Sequence, residues 1–260
     1  MPKRKRMPSS KTRYYLLDEL RGFAVLCMVF FHGFYTLELI GFPIGRTLID
    51  FFLPAEPFFA MFFILLSGIC CQLSRSNLKR GLKLAGIAIA FTIVTVFLAK
   101  NGIPGIAIYF GILHLLASGM LLVALLNRGL RHIHPAIGFL FFLVLFVFTY
   151  YIGEGTLGFG DISIALPAIN SNIFYYILGL SPHHLSAADY FPILPYIFMF
   201  LCGASLGFFA KRDKFPDWFK TSRLPFLSVI GRNALIIYVL HQPIIYGIVY
   251  TVKFFFIDLF

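Results

Sequence analysis

Charge is what this sequence has least of. Only 13% of its 260 residues are Asp, Glu, Lys or Arg, about half the share of an ordinary water-soluble domain. With 59% apolar residues and thirty-three Phe, that shortage excludes a soluble enzyme and a disordered scaffold, because one aqueous core cannot bury so much apolar surface. Cysteine is scarce as well. Cys27, Cys70, Cys71 and Cys202 all lie inside or at the ends of apolar runs, which offers no disulfide framework and excludes a stapled secreted module. The adjacent Cys70 and Cys71 read either as thiols packed against lipid or as lipidation sites. Acids are half as frequent as bases, 11 against 22, giving a formal charge of +11. In a soluble protein that excess would suggest nucleic acid. Here it follows membrane topology first, so the expected partner is a lipid bilayer and not nucleic acid.

The fold class that follows is an all-α polytopic membrane helix bundle. A bilayer core needs roughly 20 apolar residues per helix, and such runs fall near 20–40, 55–73, 82–99, 105–126, 135–152, 191–210 and 232–257. Seven transmembrane helices are expected, forming one domain over 19–260 behind a basic tail, 1–18. The tail MPKRKR precedes the first run without a small-residue cleavage site, the pattern of a retained signal anchor. That start puts the N-terminus in the cytoplasm and the C-terminus outside, and places nineteen of the 22 cations inward, as the positive-inside bias requires. The segment 162–180 is apolar but broken by Pro167 and Asn170-Ser171-Asn172. It suits a re-entrant or interfacial element better than an eighth span.

Ionisable groups inside spans are costly, so they mark candidate function. His32, His114 and His241 each fall about 12–15 Å into a span at the helical rise, near the midplane. Three imidazoles at one depth on three helices could share a cavity and handle protons, or each could hydrogen-bond a neighbouring helix. Tyr238 and Gln242 flank His241, with Asn233 further down the same run. Arg21 and His32 are eleven residues apart and share one helix stripe, and Asp18 is spaced to pair with Arg21. A snorkelling Arg accounts for Arg21 alone but leaves His32 unexplained.

The segment LDELRGFAVLCMVFFH, residues 17–32, resembles the opening helix of the transmembrane acyltransferases. That superfamily includes the heparan-alpha-glucosaminide N-acetyltransferases, their small bacterial relatives, and the acyltransferase-3 proteins, whose signature is a basic residue, ten residues, then His. Arg21 and His32 match that spacing. Further blocks similar to the small bacterial branch are FFILLSGICCQLSRSNLKRG (62–81), FGILH (110–114), ADYFPILPYIFMFLCGASLG (188–207) and NALIIYVLHQP (233–243). The lysosomal enzymes differ. They look to have Asn at His32, Gln at His114, and a luminal His-x-x-Trp-Asn-Gly stretch that is missing between Gly33 and Pro54.

The resemblance implies an acyltransferase that carries an acetyl group from cytosolic acetyl-CoA to a sugar or glycan amine or hydroxyl at the outer face of the plasma membrane, with no metal. His32 would be general base or acyl carrier, and His114 a second proton handler or a donor to the thioester oxygen, with Arg21 at the mouth of the stripe. Arg75, Lys79, Arg80 and Lys83, four cations in nine residues, suit the phosphates of CoA, though anionic lipid would attract them too. Asp18, His241 and Tyr238 are supporting residues. Glu38, Glu56 and Asp189 would ring the outer mouth.

Three weaker signals remain. His184 and Asp189 have the His-x-x-x-x-Asp spacing of glycerolipid acyltransferases but lie on the wrong face. The pairs His183-His184 and His132-x-His134 offer too few ligands for a metal without help. Gly203-x-x-x-Gly207 offers a close-packing face for a non-catalytic membrane partner or scaffold, or equally for helices of the same chain; a homo-oligomer is left open. The other function in play is a proton-coupled transporter or channel that uses the three histidines as a relay.

Overall fold

The computed structural model describes residues 13–103, 106–167, 172–180 and 189–255. The start of the basic tail, the His183-His184 pair and part of the 162–180 segment lie outside them. The described chain is helical: α1 (Tyr15–Ile40), α2 (Pro43–Phe52), α3 (Glu56–Gln72), α4 (Asn77–Lys100), α5 (Ile112–Leu130), α6 (Pro135–Phe148), α7 (Ile173–Leu178), α8 (Tyr196–Lys211), α9 (Pro225–Arg232) and α10 (Ala234–Lys253). Two antiparallel strands of two residues each, β1 (Thr156–Leu157) and β2 (Ile164–Ala165), are the only sheet among the described residues. The all-α polytopic class holds.

The seven expected spans are not seven like helices. Five are long and apolar enough to cross a membrane, and a sixth follows if α2 and α3, bent by 60° at their break, count as one span. The break is encoded: Pro54 lies in it and Pro57 in the first turn of α3, just as Gly41, left-handed at φ 97°, ends α1 and Pro43 starts α2. Pro192 and Pro195 delay α8 until Tyr196, leaving it 16 residues long. Among its described residues the segment 162–180 holds β2 and one α-helix, the six-residue α7, far too short to span. Helix α1 begins at Tyr15, inside the stretch assigned to the tail.

The largest departure is α5. It starts at Ile112, not near 105, because residues 106–110 enter the protein without helical structure, with Ala107, Ile108 and Phe110 buried. Such backbone survives at depth only if its polar groups are paired. The Ile108 N–H donates to Thr95 Oγ1 at 3.2 Å, and the Phe110 carbonyl accepts from Phe191 N–H at 3.4 Å.

Two helix crossings form the frame. At α3 against α8, a Cβ on Gly68 would overlap the Phe200 carbonyl and one on Gly203 the Leu65 carbonyl, while Gly207 meets Ile69 and Gln72. The Gly203-x-x-x-Gly207 face is therefore occupied within the chain. At α1 against α9, Gly22 lies on the Leu227 carbonyl and Gly231 on that of Asp18. Backbones this close gain van der Waals contact that no larger residue would allow. Cys71 is buried in the main core and so packs within the protein, not against lipid.

Loop contacts gather the basic helix ends together. Tyr14 Oη donates to the Ala210 carbonyl at 2.9 Å and to Asp213 Oδ1 at 2.8 Å, and Arg212 donates to the Arg131 carbonyl at 3.2 Å. The buried Glu19 carboxylate accepts from Ser222 Oγ at 2.8 Å and from the N–H groups of Arg223 and Leu224 at 2.9 and 3.1 Å, fixing the turn into α9. On the outside, side chains such as Phe51, Leu125 and Val144 stand exposed on the helices, as a bilayer-facing surface requires.

Candidate active site

Asp189 holds the centre of the bundle. Its side chain is buried, and Oδ2 accepts the Ile112 N–H at 3.1 Å and the hydroxyl of Tyr238 from α10. The first N–H groups of a helix have no intrahelical acceptor and carry its positive end, so a carboxylate is well suited to the buried start of α5. Gly111 is required beside it, because a Cβ there would overlap the carboxylate. The same turn fixes His114. Its Nδ1 accepts the Gly111 N–H at 3.2 Å, which leaves the proton on Nε2 to face Thr92 Oγ1 at 3.2 Å.

His32 and His241 come together, with ring centroids 5.1 Å apart. His241 is buried, and its Nδ1–H donates to the Tyr238 carbonyl at 2.7 Å. That bond leaves a lone pair on Nε2 with no partner. His32 Nδ1 and Gln242 Oε1 are likewise buried without a hydrogen bond, while Gln242 Nε2 donates to Thr36 Oγ1 at 3.3 Å. Buried polar atoms are normally satisfied, so three such atoms at one locus mark a place for a ligand or water.

Three cavities touch His32 and another stops beside this locus at Tyr238. One of about 290 Å³ carries Arg21, Arg80 and Lys83 at its basic end and closes on Tyr238. One of about 210 Å³, with Glu56, Tyr150, Tyr190 and Tyr196 in its wall, ends on His32 and Asp189. A small space of about 50 Å³ next to α3 touches both His32 and Tyr238. A fourth, of about 240 Å³, lies between α4 and α10 and is reached by His32, His241, Tyr238 and Asp189.

The expected residues divide accordingly. Arg21, Arg80 and Lys83 share a cavity, while Arg75 and Lys79 are exposed and line none of these four. Asp18 sits 3.9 Å from Arg21 but takes Arg13 as its closer partner, at 2.7 Å. His114 does not join His32 and His241. The depth count assumed an unbroken helix from 105, whereas His114 lies in the first turn of α5. Glu56 does face the cavity opposite the basic end, but Glu38 pairs with Arg46 at 3.1 Å. Asp189 is at the centre of the site, not at its rim. Its sequence signal was an acid within an otherwise apolar block, ADYFPILP, that also carried the family resemblance. Among the described residues, no three His, Cys, Asp or Glu side chains are placed to hold a metal.

A family model described as heparan-alpha-glucosaminide N-acetyltransferase, catalytic, matches residues 13–243, most of the chain and every residue named at this site. No curated protein and no solved structure matches.

Proposed function

The chain belongs to the heparan-alpha-glucosaminide N-acetyltransferase catalytic family, and from that premise we propose that it moves an acetyl group from acetyl-CoA to a sugar or glycan acceptor across the plasma membrane. The observation that carries this reading is the unpartnered His32 Nδ1, packed on His241, beside a small central space that borders the cation-lined cavity at Tyr238 and the polar one at His32.

Acetyl-CoA enters from the basic, cytoplasmic end. Arg80, Lys83 and Arg21 hold its phosphates at the cavity mouth, since guanidinium and ammonium groups are the standard partners of phosphate oxygens. The apolar walls, Leu84, Ile87 and Leu116 among them, accept the pantetheine arm and bring the thioester to Tyr238. The acceptor occupies the opposite cavity, where Glu56 and the tyrosines offer hydrogen bonds. His32 Nδ1 removes the proton from the acceptor amine or hydroxyl as that atom bonds to the acyl carbon. The C–S bond then breaks, and CoA leaves as the thiol with a proton returned from His32. In the two-step variant the His32 nitrogen attacks the thioester first and the acceptor takes the acetyl group from it. Tyr238 borders the carbonyl with its proton held by Asp189, and the lone pair on His241 Nε2 is a second proton acceptor beside His32. Asp189 and His114 act through position, by fixing the start of α5 and the Tyr238 hydroxyl. Metal and nucleic acid have no part in this scheme, and it works for a monomer or a homo-oligomer.

Purified protein tests the reading directly. It should bind acetyl-CoA, and His32→Ala should retain that binding while losing turnover; absence of binding, or full turnover in the variant, overturns it. The runner-up, a proton-coupled transporter, draws on the same His32/His241 contact. It predicts pH-dependent flux into liposomes without acetyl-CoA.

A further inference from the structure

The cavity between α4 and α10 has a different character from the other two large ones. Its wall is Phe91, Val94 and Leu98 of α4, Ile106, and Pro243 and Tyr246 of α10, and its polar residues are chiefly those at the reacting centre. It exists because α4 packs on α5 and α10 on α1 and α9, which leaves space between α4 and α10. An acetyl group would fill little of it. At ~30 Å³ for a water-sized unit, about the room of one methylene, a cavity of about 240 Å³ takes roughly eight carbons. A sugar would leave its hydroxyls unpaired against hydrocarbon.

We propose that this cavity holds the tail of a medium-chain acyl group, about six to ten carbons long, delivered as its CoA thioester, so that the acyl specificity extends well beyond acetyl. The inference rests on the acyltransferase reading above and names its donor class. Tyr238 lines both this cavity and the cation-lined one, so a chain entering past Arg80 reaches the α4–α10 space directly beyond the thioester position. The third large cavity, with its carboxylate and tyrosines, suits the polar acceptor. Bond changes are those of the acetyl case: the acyl C–S bond breaks, the acyl carbon bonds to the acceptor heteroatom, and CoA leaves as the thiol with the acceptor's proton. The competing occupant is a bilayer lipid tail entering between α4 and α10, where Val94 is more than half exposed.

The test is equilibrium binding of acyl-CoAs with two, four, six, eight, ten and twelve carbons to the full chain in nanodiscs, beside the filling variant Leu98→Trp. Affinity should rise about fourfold per methylene from two to eight carbons and level off by twelve. Leu98→Trp should bind acetyl-CoA as the native chain does and lose the rise. Long thioesters also partition into lipid, so only the difference between native and filled protein counts. Should Leu98→Trp fail to fold, Val94→Trp fills the same space from its exposed side. Equal affinity for all lengths overturns the proposal, as does a rise that survives filling, or displacement of a co-purified lipid by Leu98→Trp with no change in the acyl-CoA series. Acetyl-CoA binding in those cases leaves the acetyltransferase reading standing, whereas no binding at any length removes both.

Discussion

The glycine crossings and the centre of the bundle use helices of similar apolar composition to opposite ends. Where α3 meets α8 and α1 meets α9, Gly68, Gly203, Gly22 and Gly231 bring backbones into contact and exclude everything else. Where α4 faces α10, each helix packs on other partners, and Phe91, Val94 and Tyr246 line a cavity beside unpartnered imidazoles. The difference teaches that in an apolar bundle small residues fix where helices meet, while space for a ligand is left where helices pack on other partners.

Substitutions on either side should behave accordingly. Gly203→Leu drives a side chain into the Leu65 carbonyl. With a backbone group unable to move aside, it should cost more than ~3 kcal/mol and yield little folded protein by thermal scanning in detergent; a normal melting temperature would break the distinction. His32→Ala should show the reverse, an unchanged Tm with turnover lowered about 10²–10⁴-fold. Arg80→Gln should raise the KM for the acyl-CoA donor about tenfold with kcat little changed, from loss of one charged contact; an equal effect on kcat would move Arg80 from binding to chemistry.

The smallest effect belongs to the clamp at the basic end. Tyr14→Phe removes the hydrogen bonds to Ala210 and Asp213 and should cost about 1 kcal/mol with turnover intact. Burial, and then the Asp213 carboxylate, push the Tyr14 phenol up to about 12. Its contribution is therefore full below the ordinary tyrosine range near ~10 and is lost as pH rises through about 12. The hydrogen bonds from Tyr14 and Lys220 hold the Asp213 carboxyl below its usual range. That contribution is present above ~4 and is lost as pH falls through the lowered value. Thermal melts of the native chain and Tyr14→Phe should differ at pH 8 and converge above 12.

Much of this architecture was legible in the sequence. Pro and Gly gave most of the breaks between helices, and the eleven-residue spacing of Arg21 and His32 pointed along α1 to one of the two imidazoles that meet in the bundle. The start of α5 was not legible. Residues 106–110 are as apolar as a helix, and hydropathy cannot separate a buried extended segment from the first turns of a span. That error carried His114 to the wrong place. It also hid Asp189, because the need for a carboxylate appears only once a helix is known to begin in the interior. The union of His32 with His241 was half legible, since depth along a helix can be counted from sequence but the direction a helix faces cannot.

The contact between Tyr238 and Asp189 has one more consequence. In the proposed scheme the cation-lined and polar cavities open toward opposite faces of a bilayer, and such cavities must not join, or water would form a wire that conducts protons. Phe63 and Tyr238 border both the cation-lined cavity and the small central one, and the Tyr238 hydroxyl is tied to the carboxylate that anchors α5. The bond that ties this phenol to the start of α5 thereby also holds part of the wall between the two cavities, and loosening it should open a water path between them, read as proton leak in liposomes.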